Sequence, residues 1–112
     1  MIKEIPNLSG RLISISTPRT QALVLEALSD FEWHSLRDVE RAADLRQPEV
    51  SMAVKALGKT IEKKVREHAG KGRPEKMVRC TKKGLVSLLE NEVNKRMEEV
   101  ADINEIIKEV SE

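Results

Sequence analysis

The chain has 112 residues, a length that suits one domain with a modest core. Charged side chains make up 35% of it, yet the net charge is only +1, and a single cysteine excludes an intramolecular disulfide framework. No apolar run approaches the ~20 residues needed to span a bilayer, and the opening MIKEIPNLSG lacks a signal-peptide core. A reducing, cytoplasmic setting is the expectation.

The small net charge hides an uneven distribution. Residues 1–33 carry 3 basic and 4 acidic groups, residues 34–84 carry 14 and 7, and residues 85–112 carry 3 and 8. The middle is therefore basic and the tail acidic, which suggests two jobs on one chain. Aromatic residues are limited to Phe31 and Trp33, so the core must be aliphatic.

Residues 1–16 contain Ile2, Ile5 and Leu8, with Pro6 against a clean helix and Leu12-Ile13 with Ile15 as a short strand. They read as an arm that packs on the domain or on a partner subunit, with a disordered arm as the other reading. Thr17 then caps a helix with Pro18 at its first position, running to about Ser29 with Ala22, Val24, Leu25 and Leu28 toward the core. Phe31-Glu32-Trp33 alternates apolar and polar, which fits a brief strand whose aromatics serve packing.

The stretch Ser35 to Leu57 reads as two short helices around a tight turn. Ser35 caps the first, in a near-match to a capping box with Asp38. Leu36, Val39, Ala42 and Ala43 give it one apolar face. Asp44-Leu45-Arg46 breaks the pattern, and Gln47-Pro48 restarts it. Val50, Ala53, Val54 and Leu57 form the second apolar face, leaving Gln47, Glu49, Ser51, Met52 and Lys55 outward. Such a pair reads as a helix-turn-helix.

Gly58 stops the second helix, and Lys59 to Lys64 connects it onward with Ile61 as a buried anchor. Val65 to Thr81 reads as two strands around a Gly-rich, basic tip, Ala69 to Pro74. Thr81 caps a last, long helix. In it Val86, Leu89, Val93, Val100, Ile103, Ile107 and Val110 fall at alternating three- and four-residue steps, with only Arg96 off pattern. This is a coiled-coil signal. A helix from Lys82 to Ser111 spans roughly 45 Å, too long to bury its stripe on so small a body. The seam predicts a partner, most simply the same helix of a second subunit; the other reading is a bent helix folded back on its own domain.

Gln47-Pro48-Glu49-Val50-Ser51, Gly70 to Pro74 and the exit Cys80-Thr81-Lys82-Lys83-Gly84 together resemble a winged helix-turn-helix regulator of the MarR/ArsR type. The resemblance covers roughly Thr17 to Leu89. It implies an α fold with a small β wing: an arm (1–16), a winged helix-turn-helix (17–84) and a C-terminal dimerisation helix (85–112). It also implies a homodimer on double-stranded DNA, with recognition helices about one DNA turn apart, ~34–36 Å.

On that basis the second helix of the pair presents Arg46, Gln47, Glu49, Ser51, Met52 and Lys55 to a major groove. Gln47 suits adenine, Ser51 a base or phosphate, and Lys55 a guanine or phosphate. Met52 offers only apolar contact, and Glu49 fits only a cytosine amine or the neighbouring Arg46. The wing residues Lys71, Gly72 and Arg73, with Lys76, suit a minor groove, where Arg73 would enter a narrow A·T tract. Arg37, Arg41, Lys63, Lys64, Arg66 and Arg79 add candidate phosphate contacts.

Catalysis finds little support, because His34 and His68 sit in different predicted elements and assemble no triad with Cys80 and Glu67. Lys71-Gly72 lacks the spacing of a phosphate-binding P-loop. Some ArsR members hold metal through Cys pairs on the helix-turn-helix, and this chain has none there; Cys80 reads as a packed hydrophobe. No cofactor is expected, and no polar constellation points to a small-molecule effector. Two other functions fit the same residues: a protein-interaction adaptor whose basic face docks on an acidic partner, and an architectural chromatin protein without sequence preference.

Overall fold

The computed structural model describes residues 5–67, 72 and 74–112. Its elements run in the order α1 (Leu8–Ser14), α2 (Arg19–Ala27), β1 (His34–Ser35), α3 (Leu36–Ala43), α4 (Gln47–Leu57), a 3-10 turn (Gly58–Thr60), β2 (Ile61–Arg66), β3 (Glu75–Cys80) and α5 (Lys82–Ser111). The protein is mostly helical, with one three-stranded antiparallel sheet in the order β1-β3-β2. This arrangement is compatible with a winged helix.

Helix α2 occupies the centre and packs against α1, α3 and α4. Its Ala22, Val24 and Leu25, with Leu28 just beyond it, are 0% exposed. Val39 of α3, Val50 and Val54 of α4, and Ile61, Val78 and Cys80 of the sheet close the same core. The apolar faces read from the 3.6-residue period of α3 and α4 are buried, except that Leu36 is half-buried and Ala42 is exposed.

Four local assignments differ from the sequence reading. Pro18, not Thr17, is the cap residue of α2, which begins at Arg19. Leu12 and Ile13 lie in α1, not in a strand: Leu8 and Leu12 are one helical turn apart, and both bury against the core. Pro6 precedes the helix and so does not interrupt it. The segment Phe31–Trp33 is irregular and follows a turn at residues 28–30. Phe31 takes a left-handed φ of 62°, and Asp30 Oδ1 accepts from the Glu32 N–H at 3.0 Å. The other Asp30 oxygen meets His34 Nε2 at 2.7 Å, so the strand begins only at His34. Last, the connector after α4 is a 3-10 turn leading straight into β2, with Ile61 buried as its first residue.

Helix α5 starts on a Thr81 cap, whose Oγ1 accepts from the Gly84 N–H at 2.9 Å. Its 30 residues carry no Gly or Pro after Gly84. Only its first half touches the body, through buried Leu85 and half-buried Leu88, Leu89, Glu92 and Arg96. Residues 97–112 are all exposed. The molecule therefore measures 75 × 24 × 24 Å, with a radius of gyration of 18.0 Å, against roughly 13 Å for a compact chain of this length. No helix among the described residues is long and apolar enough to cross a membrane.

Candidate nucleic-acid interface

The turn between α3 and α4 is fixed by backbone geometry. Asp44 adopts a left-handed φ of 53°. The Leu45 N–H reaches back to Glu40 O at 3.0 Å and the Asp44 N–H to Arg41 O at 3.4 Å, a Schellman closure of α3. Leu45 then buries in the core. At the start of α3, Ser35 Oγ accepts from the Asp38 N–H at 3.1 Å. Helix α3 is thus closed at both ends, and buried Leu45 anchors the turn into α4, which holds the angle between the two helices.

Helix α4 buries Val50, Ala53, Val54 and Leu57 and turns Gln47, Ser51, Met52 and Lys55 to solvent. Met52 is 73% exposed, so it takes no part in the core. Arg46 is the exposed cap residue, with Gln47 first in the helix and Pro48 second. Glu49 serves the helix start itself, because its Oε1 accepts from the Arg46 N–H at 3.1 Å. That bond occupies an otherwise unpartnered amide.

The hairpin β2–β3 stands beside this exposed face. Its register sets Lys63 opposite Val78 and Val65 opposite Lys76. Between α4 and the hairpin lies a groove of about 400 Å³, lined by Ser51, Val54, Lys63, Lys64 and Lys76, among others. Gly72 is exposed near the hairpin tip with a φ of 107°, a backbone conformation that suits glycine. Lys71, Arg73 and His68 lie outside the described residues.

Other charges of the sheet are used internally. Lys64 Nζ lies 4.3 Å and the Arg79 guanidinium 4.8 Å from the Trp33 ring centroid. Arg79 also pairs with Glu62, and Arg66 with Glu75 at 3.2 Å. Three of the candidate phosphate contacts are therefore engaged by the Trp33 ring or by sheet carboxylates, while Arg37 and Arg41 stand exposed on α3. Sequence reasoning missed the Trp33 cluster, because the neighbours of Trp33 become visible only when the β1–β3 and β2–β3 registers are known.

Cys80 is fully buried in the core, and its Sγ donates toward Thr81 O at 3.6 Å. Burial pushes its thiol up from 9.0 to about 11. Among the described residues, no three His, Cys, Asp or Glu side chains gather as a metal-holding group.

The α5 seam is open. Val86, Val93, Val100, Ile103, Ile107 and Val110 are between 51% and 81% exposed, as are Met97 and Ile106 beside them. Leu89 is half-covered by the body. The off-pattern Arg96 has its own partner: Nη2 donates to Ile15 O at 2.7 Å. A groove of about 540 Å³ runs along this side, lined by Ile15 together with Leu89, Val93, Met97, Val100 and Asn104.

No protein-family model matches the chain, and no curated protein matches it. A solved structure from Methanosarcina mazei Go1, described as a possible transcriptional regulator, is similar to it. The TM-score is 0.64 at 12% sequence identity, over 89% of this chain and 87% of that one. At that identity the likeness is one of fold.

Proposed function

We propose that this chain is a homodimeric, sequence-specific, duplex-DNA-binding transcriptional regulator of the MarR/ArsR type, cytoplasmic and without catalytic activity. The observation that carries this reading is the exposed polar face of α4 beside the lysine-lined groove of the hairpin. A helix of 11 residues can lie in a major groove with its N-terminal end toward the base edges. Gln47, Ser51 and Lys55 then meet base edges and phosphates, and Met52 meets a thymine methyl. Lys63 and Lys76 track the backbone of the strand between α4 and the hairpin. Lys71, Gly72 and Arg73 at the hairpin tip enter the adjacent minor groove. The open stripe on α5 closes against a second copy. The fold likeness to a possible transcriptional regulator supports the same reading.

The test is a salt titration of binding to random duplex DNA, with the mass followed by light scattering in the same buffers. A dimer whose affinity falls linearly on a log–log salt plot is the expected result, and selection of a preferred sequence then separates a regulator from an architectural protein. Glu49 favours that second reading to one degree, because its carboxylate is spent on the Arg46 amide and leaves α4 with fewer reading groups. Absence of duplex binding at low salt would discard both in favour of an adaptor.

A further inference from the structure

We infer that α5 pairs antiparallel with α5 of a second copy, in the register that sets Val86 against the partner's Val110. The inference rests on the homodimer reading above and adds the orientation and register of its interface.

The charge along α5 favours this orientation. Residues 82–96 carry four basic and two acidic groups, and residues 97–112 carry one basic and six acidic. The first half of α5 is thus +2 and the second −5. A parallel pair would lay the acidic halves side by side. An antiparallel pair lays each acidic half along the partner's basic half.

The helix dipole favours it as well. Lys82 and Lys83 sit at the positive N-terminal end of α5, and Glu109 and Glu112 at its negative C-terminal end. Each end carries the wrong sign for its own helix. An antiparallel partner corrects both, because it brings the partner's Glu112 alongside Gly84, next to Lys83, and the partner's N-terminus beside Glu112.

The residues of the seam point the same way. Taken as heptads, Val86, Val93, Val100 and Ile107 are a positions, and Leu89, Arg96, Ile103 and Val110 are d positions. In a parallel pair Arg96 faces the partner's Arg96 inside the seam. β-Branched Ile103 and Val110 at d also suit a parallel two-stranded coil poorly. The antiparallel register pairs every layer: Val86 with the partner's Val110, Leu89 with the partner's Ile107, Val93 with the partner's Ile103, and Arg96 with the partner's Val100. Arg96 then lies against an apolar residue with the partner's Glu99 beside it.

The groove supplies the seat. Its α5 lining runs from Leu89 to Asn104, around the two-fold point of this register at residue 98. The fully exposed half of the partner's α5 fills it, between α5 and Ile15. Met97 lies beside the partner's Met97 next to the axis, as an isologous contact requires. The two bodies come to lie at opposite ends of the rod, with the first residues of the two α5 helices roughly 48 Å apart along it.

The experiment uses the full chain as Lys108→Cys carrying a nitroxide label. Lys108 is exposed near the end of α5, and buried Cys80 stays unlabelled. Antiparallel pairing predicts label separations of roughly 30 Å or more by pulsed electron resonance. Separations within roughly 20 Å, the reach of two side-by-side helices, overturn the proposal, as does a monomer without dipolar coupling. Duplex binding is measured on the same sample. A short separation with binding intact overturns the orientation alone. A long separation without binding upholds the orientation and overturns the DNA-binding function.

Discussion

The Arg96 guanidinium donates a 2.7 Å hydrogen bond to the main-chain oxygen of Ile15, a residue 81 positions earlier in the chain. Glu92 and Glu99 flank it at 3.8 and 3.6 Å. One charged residue in an apolar series thus ties the corner after α1 to the middle of the long helix. The side chain is 41% exposed, so its contribution is modest. Arg96→Ala is expected to lower stability by about 1 kcal/mol, read by denaturant unfolding at one fixed protein concentration.

Gly84 stands in the first turn of α5, where helix propensity alone favours Ala by about 1 kcal/mol. A Cβ there would meet Thr81 Oγ1 at 2.8 Å, Thr60 O at 2.9 Å and Thr60 Cα at 3.0 Å. The two Thr60 atoms belong to the backbone, so they cannot step aside. Gly84→Ala is expected to destabilise, by about 1–3 kcal/mol, and to lower the melting temperature. A rise would mean that α5 and the 3-10 turn lie farther apart than these distances.

Burial raises the Cys80 thiol to about 11 from an ordinary value of 9.0. The unfolded chain therefore releases this proton first as the pH climbs. Stability from the neutral buried thiol is complete below pH 9 and is lost as the pH rises toward and through 11. The loss is on the order of 3 kcal/mol. Cys80→Ala is expected to remove this part of the alkaline fall, seen as the difference between the two stability–pH curves.

Lys63 and Lys76 flank the groove between α4 and the hairpin. If each neutralises one phosphate, the double variant Lys63→Ala/Lys76→Ala loses about 2 from the log–log salt slope of duplex binding. Binding should weaken evenly across sequences, because phosphate contacts carry no base information. An unchanged slope would remove both lysines from the interface.

The α3–α4 pair could be read from sequence because its signals agree: a serine cap, a 3.6-residue apolar period and a proline near the restart. The same held for α5, where Thr81 caps a long uninterrupted pattern. Helix α1 could not be read, because two leucines four residues apart between Pro6 and Ser16 are too short a pattern to outweigh turn-forming neighbours. The strand offset at Phe31 also escaped, since it depends on the Asp30 carboxylate bonding both Glu32 and His34. At the candidate interface, the outward residues of α4 followed from periodicity. The engagement of Lys64 and Arg79 with Trp33 did not, because it depends on how β1 and β2 both pair with β3 in the folded sheet. Lys71 and Arg73 lie beyond the described residues, so their place at the tip rests on sequence.

Trp33 is the chain's one tryptophan, and it sits against two cations of the hairpin. The protein thereby contains a native optical gauge. Its emission reports on the hairpin without any dye, and a ligand that draws Lys64 or Arg79 away from the ring changes that light directly.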